Sequence, residues 1–290
     1  MTATPAVANA CRTPGVNTYG YIWQEPVVKC IGRLAAHGFR SFEPVINPPH
    51  LPLDGPSPDD CTLLRRMVDE GQIEMTSLNL PSLDVNLASP LVEMRRYSLT
   101  ICRRAIDLAD RLGIPRLIVV PGRLNPLLAP PVEQLHDWLA ASLAELIPYA
   151  AERNVGLALE NVPFAALPRA SDLVGFVDAM NSPVLSVCYD VANAHFIGEA
   201  PHDGIASLGA RISVVHMSDT GSHRWAHEEI GHGTVPFGML ASSLDAVGYR
   251  GPCLLEIIAD DARPAIIRSA AALAALGAWN VPGGLHPERF

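Results

Sequence analysis

No stretch of the chain approaches 18 uninterrupted apolar residues, and its Ala/Thr/Pro-rich opening lacks a basic segment followed by a continuous apolar one. Those absences remove a membrane-spanning helix and an export signal from the expectations. Basic residues are in deficit, with 21 Lys+Arg against 30 Asp+Glu and a formal charge of −9. The mean surface field repels phosphate backbones and anionic lipid, so neither nucleic acid nor a membrane is expected as partner. Six cysteines (Cys11, Cys30, Cys61, Cys102, Cys188 and Cys253) form no C-x-x-C pair, which excludes a zinc knuckle or redox dithiol and makes a reduced cytoplasm the expected compartment. A glycine-rich phosphate loop is missing as well, since Gly15-Val-Asn-Thr-Tyr-Gly20 does not supply one. No internal repeat or low-complexity linker is visible.

What remains is a chain of 290 residues, 49% apolar and 18% charged, which suits one globular domain over 1–290 with irregular extensions at 1–14 and 280–290. Short β-branched runs fall at 16–19, 39–43, 73–78, 116–120, 155–160, 185–190, 212–216 and 253–257. Between them lie apolar-periodic stretches at 27–37, 59–71, 91–113, 131–153, 169–180, 236–248 and 263–279. Glycines at 38, 71, 113 and 248 mark helix stops. The alternation predicts an α/β fold, a single (β/α)₈ TIM barrel with one crossover helix per interval. The proline-rich segment 44–58 reads as a rigid surface loop.

Four successive runs have a metal-capable side chain as their last or near-last residue, behind apolar neighbours: LALE at Glu160, VCYD at Asp190, SVVH at His216 and CLLE at Glu256. Strand ends of this kind face the barrel mouth, where such enzymes do their chemistry. Any one of them alone could cap a helix or pair on the surface. Four in a row are better explained by a shared divalent ion, because three buried carboxylates without a cation would be prohibitive. Three oxygens and one imidazole suit Mn²⁺, the first choice, or Mg²⁺, Co²⁺ or Fe²⁺.

The runs LALEN (157–161), CYDVANAH (188–195), VVHMSD (214–219) and LLEI (254–257) resemble the xylose-isomerase-like superfamily of sugar phosphate isomerases, epimerases and related lyases. The resemblance spans about residues 15 to 280 and is specific in the second half, where HMSDTG, His227 and GHGTVPF (231–237) follow the family's pattern. It implies a metal set of Glu160, Asp190, His216 and Glu256. It also implies that Glu160 and Glu256 face each other across the substrate, one taking a proton α to a carbonyl and the other returning it through an enediolate. Two departures bear on specificity: Asn193 stands where ketose epimerases often carry histidine, and His232 stands where glutamate is common.

The expected activity is therefore a metal-dependent isomerase or epimerase of a keto sugar or related polyol. A lyase or dehydratase acting on a keto sugar, inositol ketone or dehydroshikimate-like acid uses the same first step. An endonuclease-IV-like phosphodiesterase would need more histidines and a basic groove, and a metal-free binding barrel is the non-enzymatic alternative. Candidate substrate contacts are His227, Arg224, Asn193, Glu43, Asn79 and Trp23; each has a plainer reading as a solvated, packing or ligand-orienting residue. Asp219 either supports the site or caps a turn, and His37, His50, His136 and His202 are expected to be ordinary. Family members are often dimers or tetramers, so a homo-oligomer is open.

Overall fold

A computed structural model describes residues 12–81, 84–125 and 127–283. In chain order its strands are β1 (Gly15–Asn17), β2 (Ser41–Glu43), β3 (Glu74–Met75), β4 (Leu78–Leu80), β5 (Arg116–Val119), β6 (Gly156–Glu160), β7 (Leu185–Asp190), β8 (Ile212–Met217) and β9 (Cys253–Leu255). Its helices are α1 (Val27–Ala36), α2 (Pro58–Asp69), α3 (Val92–Leu112), α4 (Val132–Ala151), α5 (Ala170–Met180), α6 (Val191–Phe196), α7 (Pro201–Leu208), α8 (Leu240–Ala246) and α9 (Ala262–Ala275). The strands run parallel in the order β3-β2-β1-β9-β8-β7-β6-β5-β4. Val45 bridges Asn79, and Ile46 N donates to Asn79 O at 2.8 Å, so the segment after β2 meets β4 and closes the barrel.

Strands buried on both faces read as continuous apolar runs rather than alternating ones, as LALE and SVVH do. Inside the barrel Ile118, Ala158, Cys188, Val214 and Leu254, one each from β5 to β9, form a packed layer beneath the mouth. All four glycines expected to stop helices (Gly38, Gly71, Gly113 and Gly248) have positive φ. Gly113 shows why: at φ 71° it ends α3 in the left-handed turn that any side chain would resist. No helix among the described residues is long and apolar enough to cross a membrane.

Three expectations need correction. The run 73–78 is two short strands, β3 and β4, interrupted at Thr76-Ser77. Between Asp190 and His216 the chain forms two short helices, α6 and α7, rather than one, because Gly198 at φ 76° ends the first and Pro201 starts the second. The segment 44–58 is not merely a surface loop: Val45, His50 and Leu51 are buried, and His50 Nε2 reaches the Thr18 hydroxyl at 2.9 Å. Of the irregular extensions, residues 1–11 and 284–290 lie outside the described residues, while Arg12 pairs with Trp279 and accepts from Asn280 N at 2.7 Å.

Candidate metal and active site

Glu160 ends β6, Asp190 ends β7, His216 is the penultimate residue of β8, and Glu256 directly follows β9. Neighbouring staves hold them in register: Asp190 pairs with His216, His216 with Leu254, and Glu256 N donates to Met217 O at 3.0 Å. Asn161 locks the end of β7 by accepting from Asp190 N at 2.7 Å and donating to Asp190 O at 2.9 Å. The four side chains converge, each offering an oxygen or nitrogen that lies within 4.8 Å of all the others, and all are buried.

His216 Nδ1 lies 3.3 Å from Glu160 Oε1 and 3.1 Å from Glu256 Oε2. On its other side Nε2 is in ion-pair contact with Glu43 Oε1 at 2.8 Å, off the line of a hydrogen bond. Glu43 is fully buried and also accepts from Asn17 Nδ2 at 2.7 Å, from Asn79 Nδ2 at 3.0 Å and from the Ser77 hydroxyl. Asn17 Nδ2 reaches onward to Glu256 Oε1 at 3.2 Å. Asp190 divides its carboxylate: Oδ1 caps α6 by accepting from Asn193 N at 2.6 Å, while Oδ2 has no hydrogen-bond partner among the described residues. Glu256 Oε2, in ion-pair reach of His216, likewise makes no hydrogen bond among the described residues. The capping role and the convergent role thus coexist in one aspartate.

Two like charges about 4 Å apart repel by roughly 4 kcal/mol at an effective dielectric of about 20. Three such pairs would consume roughly 12 kcal/mol, on the scale of a whole domain's stability of about 5–15 kcal/mol. Charge compensation is therefore required, and the titration behaviour carries its imprint. Burial, opposed by His227 and reinforced by Glu256, raises Asp190 to about 6. Burial also raises Glu160, against the pull of His216. Burial would raise Glu43 too, but His216, Ser77 and Asn79 outweigh it and hold that carboxyl below its usual range. His216 is pushed well above its ordinary value because Cys188, Glu43 and Glu256 overcome the effect of burial. Buried carboxylate oxygens around one imidazole nitrogen, with the second nitrogen held by a carboxylate, could hold a hard divalent cation.

Above the cluster opens a cavity of about 410 Å³, with Glu160, Glu256, Asn79, Asn193, Trp225 and His227 among its walls. His227 Nδ1 is 2.9 Å from the Ser218 hydroxyl and 3.7 Å from both Asp190 Oδ2 and Glu256 Oε2. Asn79 contributes to the wall, and its buried Oδ1 has no partner among the described residues. Asn193 accepts from the indole nitrogen of Trp225 at 2.7 Å. Arg224 also lines the cavity, but its guanidinium is paired with Glu228. Glu43 is not on the wall; it stands behind His216. Trp23 is 74% exposed and is absent from the cavity lining. Asp219 organises the loop after β8, accepting from Thr220 N, Gly231 N and Val235 N at 2.9, 2.8 and 3.0 Å.

Asn17, Tyr19, Ser77, Asn161 and Trp225 join the site without standing out as candidates in the sequence. Polar residues inside otherwise buried runs were the available signal for Asn17 and Ser77. Tyr19 sits on the cavity wall, its phenol pushed up by burial and by the charges of Glu256 and Glu160. The five cysteines among the described residues are all free.

Residues 31–276 match the family model described as xylose isomerase-like TIM barrel. An uncharacterised protein of Methanocaldococcus jannaschii is 25% identical over 239 residues, 80% of this chain and 79% of its own. An L-ribulose-5-phosphate 3-epimerase of Shigella flexneri is 26% identical over 210 residues, 70% of this chain and 73% of its own. Among solved structures, a D-tagatose 3-epimerase-like protein superposes with a TM-score of 0.76 at 24% identity, covering 91% of this chain and 95% of that one.

Proposed function

The chain belongs to the xylose isomerase-like TIM barrel family, and from that premise we propose that it is, as one domain, a divalent-metal-dependent epimerase or isomerase of a keto sugar. The observation that carries this reading is the convergence of Glu160, Asp190, His216 and Glu256, with an oxygen on Asp190 and one on Glu256 that no hydrogen bond engages among the described residues. Those four side chains would hold the ion, Mn²⁺ before Mg²⁺, Co²⁺ or Fe²⁺. A divalent cation there supplies charge neutralisation and polarisation of the substrate carbonyl, the two things that make an α-proton acidic enough to remove.

The chain's own groups do the rest. Glu160 and Glu256 stand on β6 and at the end of β9, separated by two staves, and both line the cavity. One carboxylate takes the proton from the carbon beside the carbonyl; the other gives a proton to the opposite face of the resulting enediolate. The inverted centre is produced without net gain or loss of atoms. Asn79 and His227, both on the cavity wall, would meet the polar groups of the substrate. The Shigella relative is named for a 3-epimerisation, which agrees with this stereochemical role.

Incubation of the Mn²⁺-loaded protein with a panel of keto sugars in deuterated water tests the reading. Deuterium should enter at the carbon beside the carbonyl, and the epimer should accumulate. Loss of water from the substrate instead would reassign the protein to the lyases, and the absence of both across the panel would overturn the proposed chemistry.

A further inference from the structure

Beside the mouth cavity lies a smaller one of about 170 Å³ that shares Val120, Val162 and Trp225 with it. Phe164, Ala165 and Leu124 complete its apolar wall. Val120, Val162 and Ala165 form a separate buried cluster with Trp225 packed against it. The loops that carry these residues are bonded to one another: Leu124 N donates to Phe164 O at 2.8 Å, and Ala166 N donates to Gly122 O at 3.2 Å. The pocket is therefore preformed, as ligand sites usually are.

Phe164 adopts φ 64°, a conformation bulky residues avoid; the residue is 56% exposed, and its ring lies edge-on to Trp225 and Phe196 at 6.2 Å. An aromatic side chain held open in a disfavoured backbone state, at the side of a catalytic mouth, is where function rather than stability explains the cost. The indole N–H of Trp225 is engaged by Asn193, so the polar edge of that ring is already satisfied.

Charge distinguishes the occupants of such a pocket. A phosphate seeks several donors at once. Here Arg224 is paired with Glu228, Lys29 is the chain's only lysine and lines neither cavity, and Arg123 on the exposed edge is the one cation among the residues lining the smaller pocket. The mouth itself is lined by Glu160, Glu256 and Glu228.

Resting on the reading above, we propose that this pocket receives an apolar substituent, so that the substrate is a keto sugar carrying an aryl or alkyl group, as in a glycoside, rather than a sugar phosphate. Calorimetry on the Mn²⁺-loaded protein tests it with three probes that share one head: 3-keto-D-glucose, its phenyl glycoside and its 6-phosphate. The phenyl glycoside should bind roughly tenfold tighter or more than the free sugar, given the apolar area a buried ring removes from water. The phosphate should bind no tighter than the free sugar. Phe164→Ala should bring the phenyl-to-free ratio toward one, and the near-isosteric Val162→Thr should reduce it several-fold. Each ratio is read within one variant, so altered metal content cancels.

Equal affinity for phenyl and free sugar would overturn the proposal, as would a phosphate preference that disappears in Arg123→Gln. Deuterium exchange on the free sugar keeps the two readings apart. Exchange with no phenyl preference leaves the epimerase reading standing and removes the pocket's role. A phenyl preference without exchange on any probe supports the apolar pocket and overturns the chemistry.

Discussion

Glu43 and His216 stand 2.8 Å apart with neither side chain open to solvent, and the opposite nitrogen of His216 faces Glu160 and Glu256. The carboxylate fixes which nitrogen is presented to the cluster and makes it a better donor. Glu43→Gln keeps the shape but removes that charge. Mn²⁺ affinity measured by titration calorimetry should fall about 10- to 100-fold. An unchanged affinity would show that Glu43 only fills space.

Glu160→Gln and Glu256→Gln should each lower kcat for epimer formation by about 10²- to 10⁴-fold, the usual worth of a positioned acid or base. The two losses should not look alike. With one proton carrier left, each variant should still exchange the α-proton of one epimer with deuterated water while failing to invert it. NMR on both epimers, with metal content determined in parallel, separates this from simple loss of a ligand.

The metal-free fold should become less stable as pH rises through the carboxylate range. Asp190 keeps its proton to about 6 when folded but releases it near 3.8 in the open chain, so between those values the folded state binds more protons. Stability contributed by a raised group is present below the unfolded value and is lost as pH climbs through the folded one. Glu160 and His216 are shifted the same way; Glu43 is shifted down, and its contribution is lost only in more acidic solution. The gap in Tm between Mn²⁺-loaded and chelator-treated protein should widen from about pH 4 to pH 7, because deprotonated ligands favour the ion. A constant gap would contradict this.

Gly233 packs against the Asp219 hub so closely that a Cβ there would lie 2.3 Å from Asp219 Oδ1 and 2.4 Å from Thr220 O. Gly233→Ala should destabilise the fold by about 1–3 kcal/mol in a urea titration, the usual result of overpacking. Because the same loop carries Trp225 and His227, KM should rise more than kcat falls. Wild-type stability and kinetics would show that the loop adapts.

The sequence made the barrel legible because apolar strand runs and glycine stops recur at a steady interval, and because four chemically distinctive residues close consecutive runs. The convergence of Glu160, Asp190, His216 and Glu256 needed only the direction of parallel strands to be foreseen. What escaped notice depends on contacts between distant segments. Asn17 and Ser77 are unremarkable residues until β1, β2 and the break between β3 and β4 bring them onto Glu43. Trp225 looks like a loop aromatic until its indole meets Asn193 across 32 positions of chain. Glu43, at the end of β2, takes the ligand-orienting alternative behind His216 rather than the cavity wall, and Trp23, past β1, turns outward to solvent. Proximity to a strand end fixes where a backbone goes, not what its side chain touches.

The four converging groups are contributed by four separate staves, the last of them immediately after β9. No fragment that stops short of that stave can chelate with the full set. Ion capture should therefore lag behind sheet closure during refolding, and quenching of tryptophan emission by paramagnetic Mn²⁺ would serve as a clock for the moment the ring is completed.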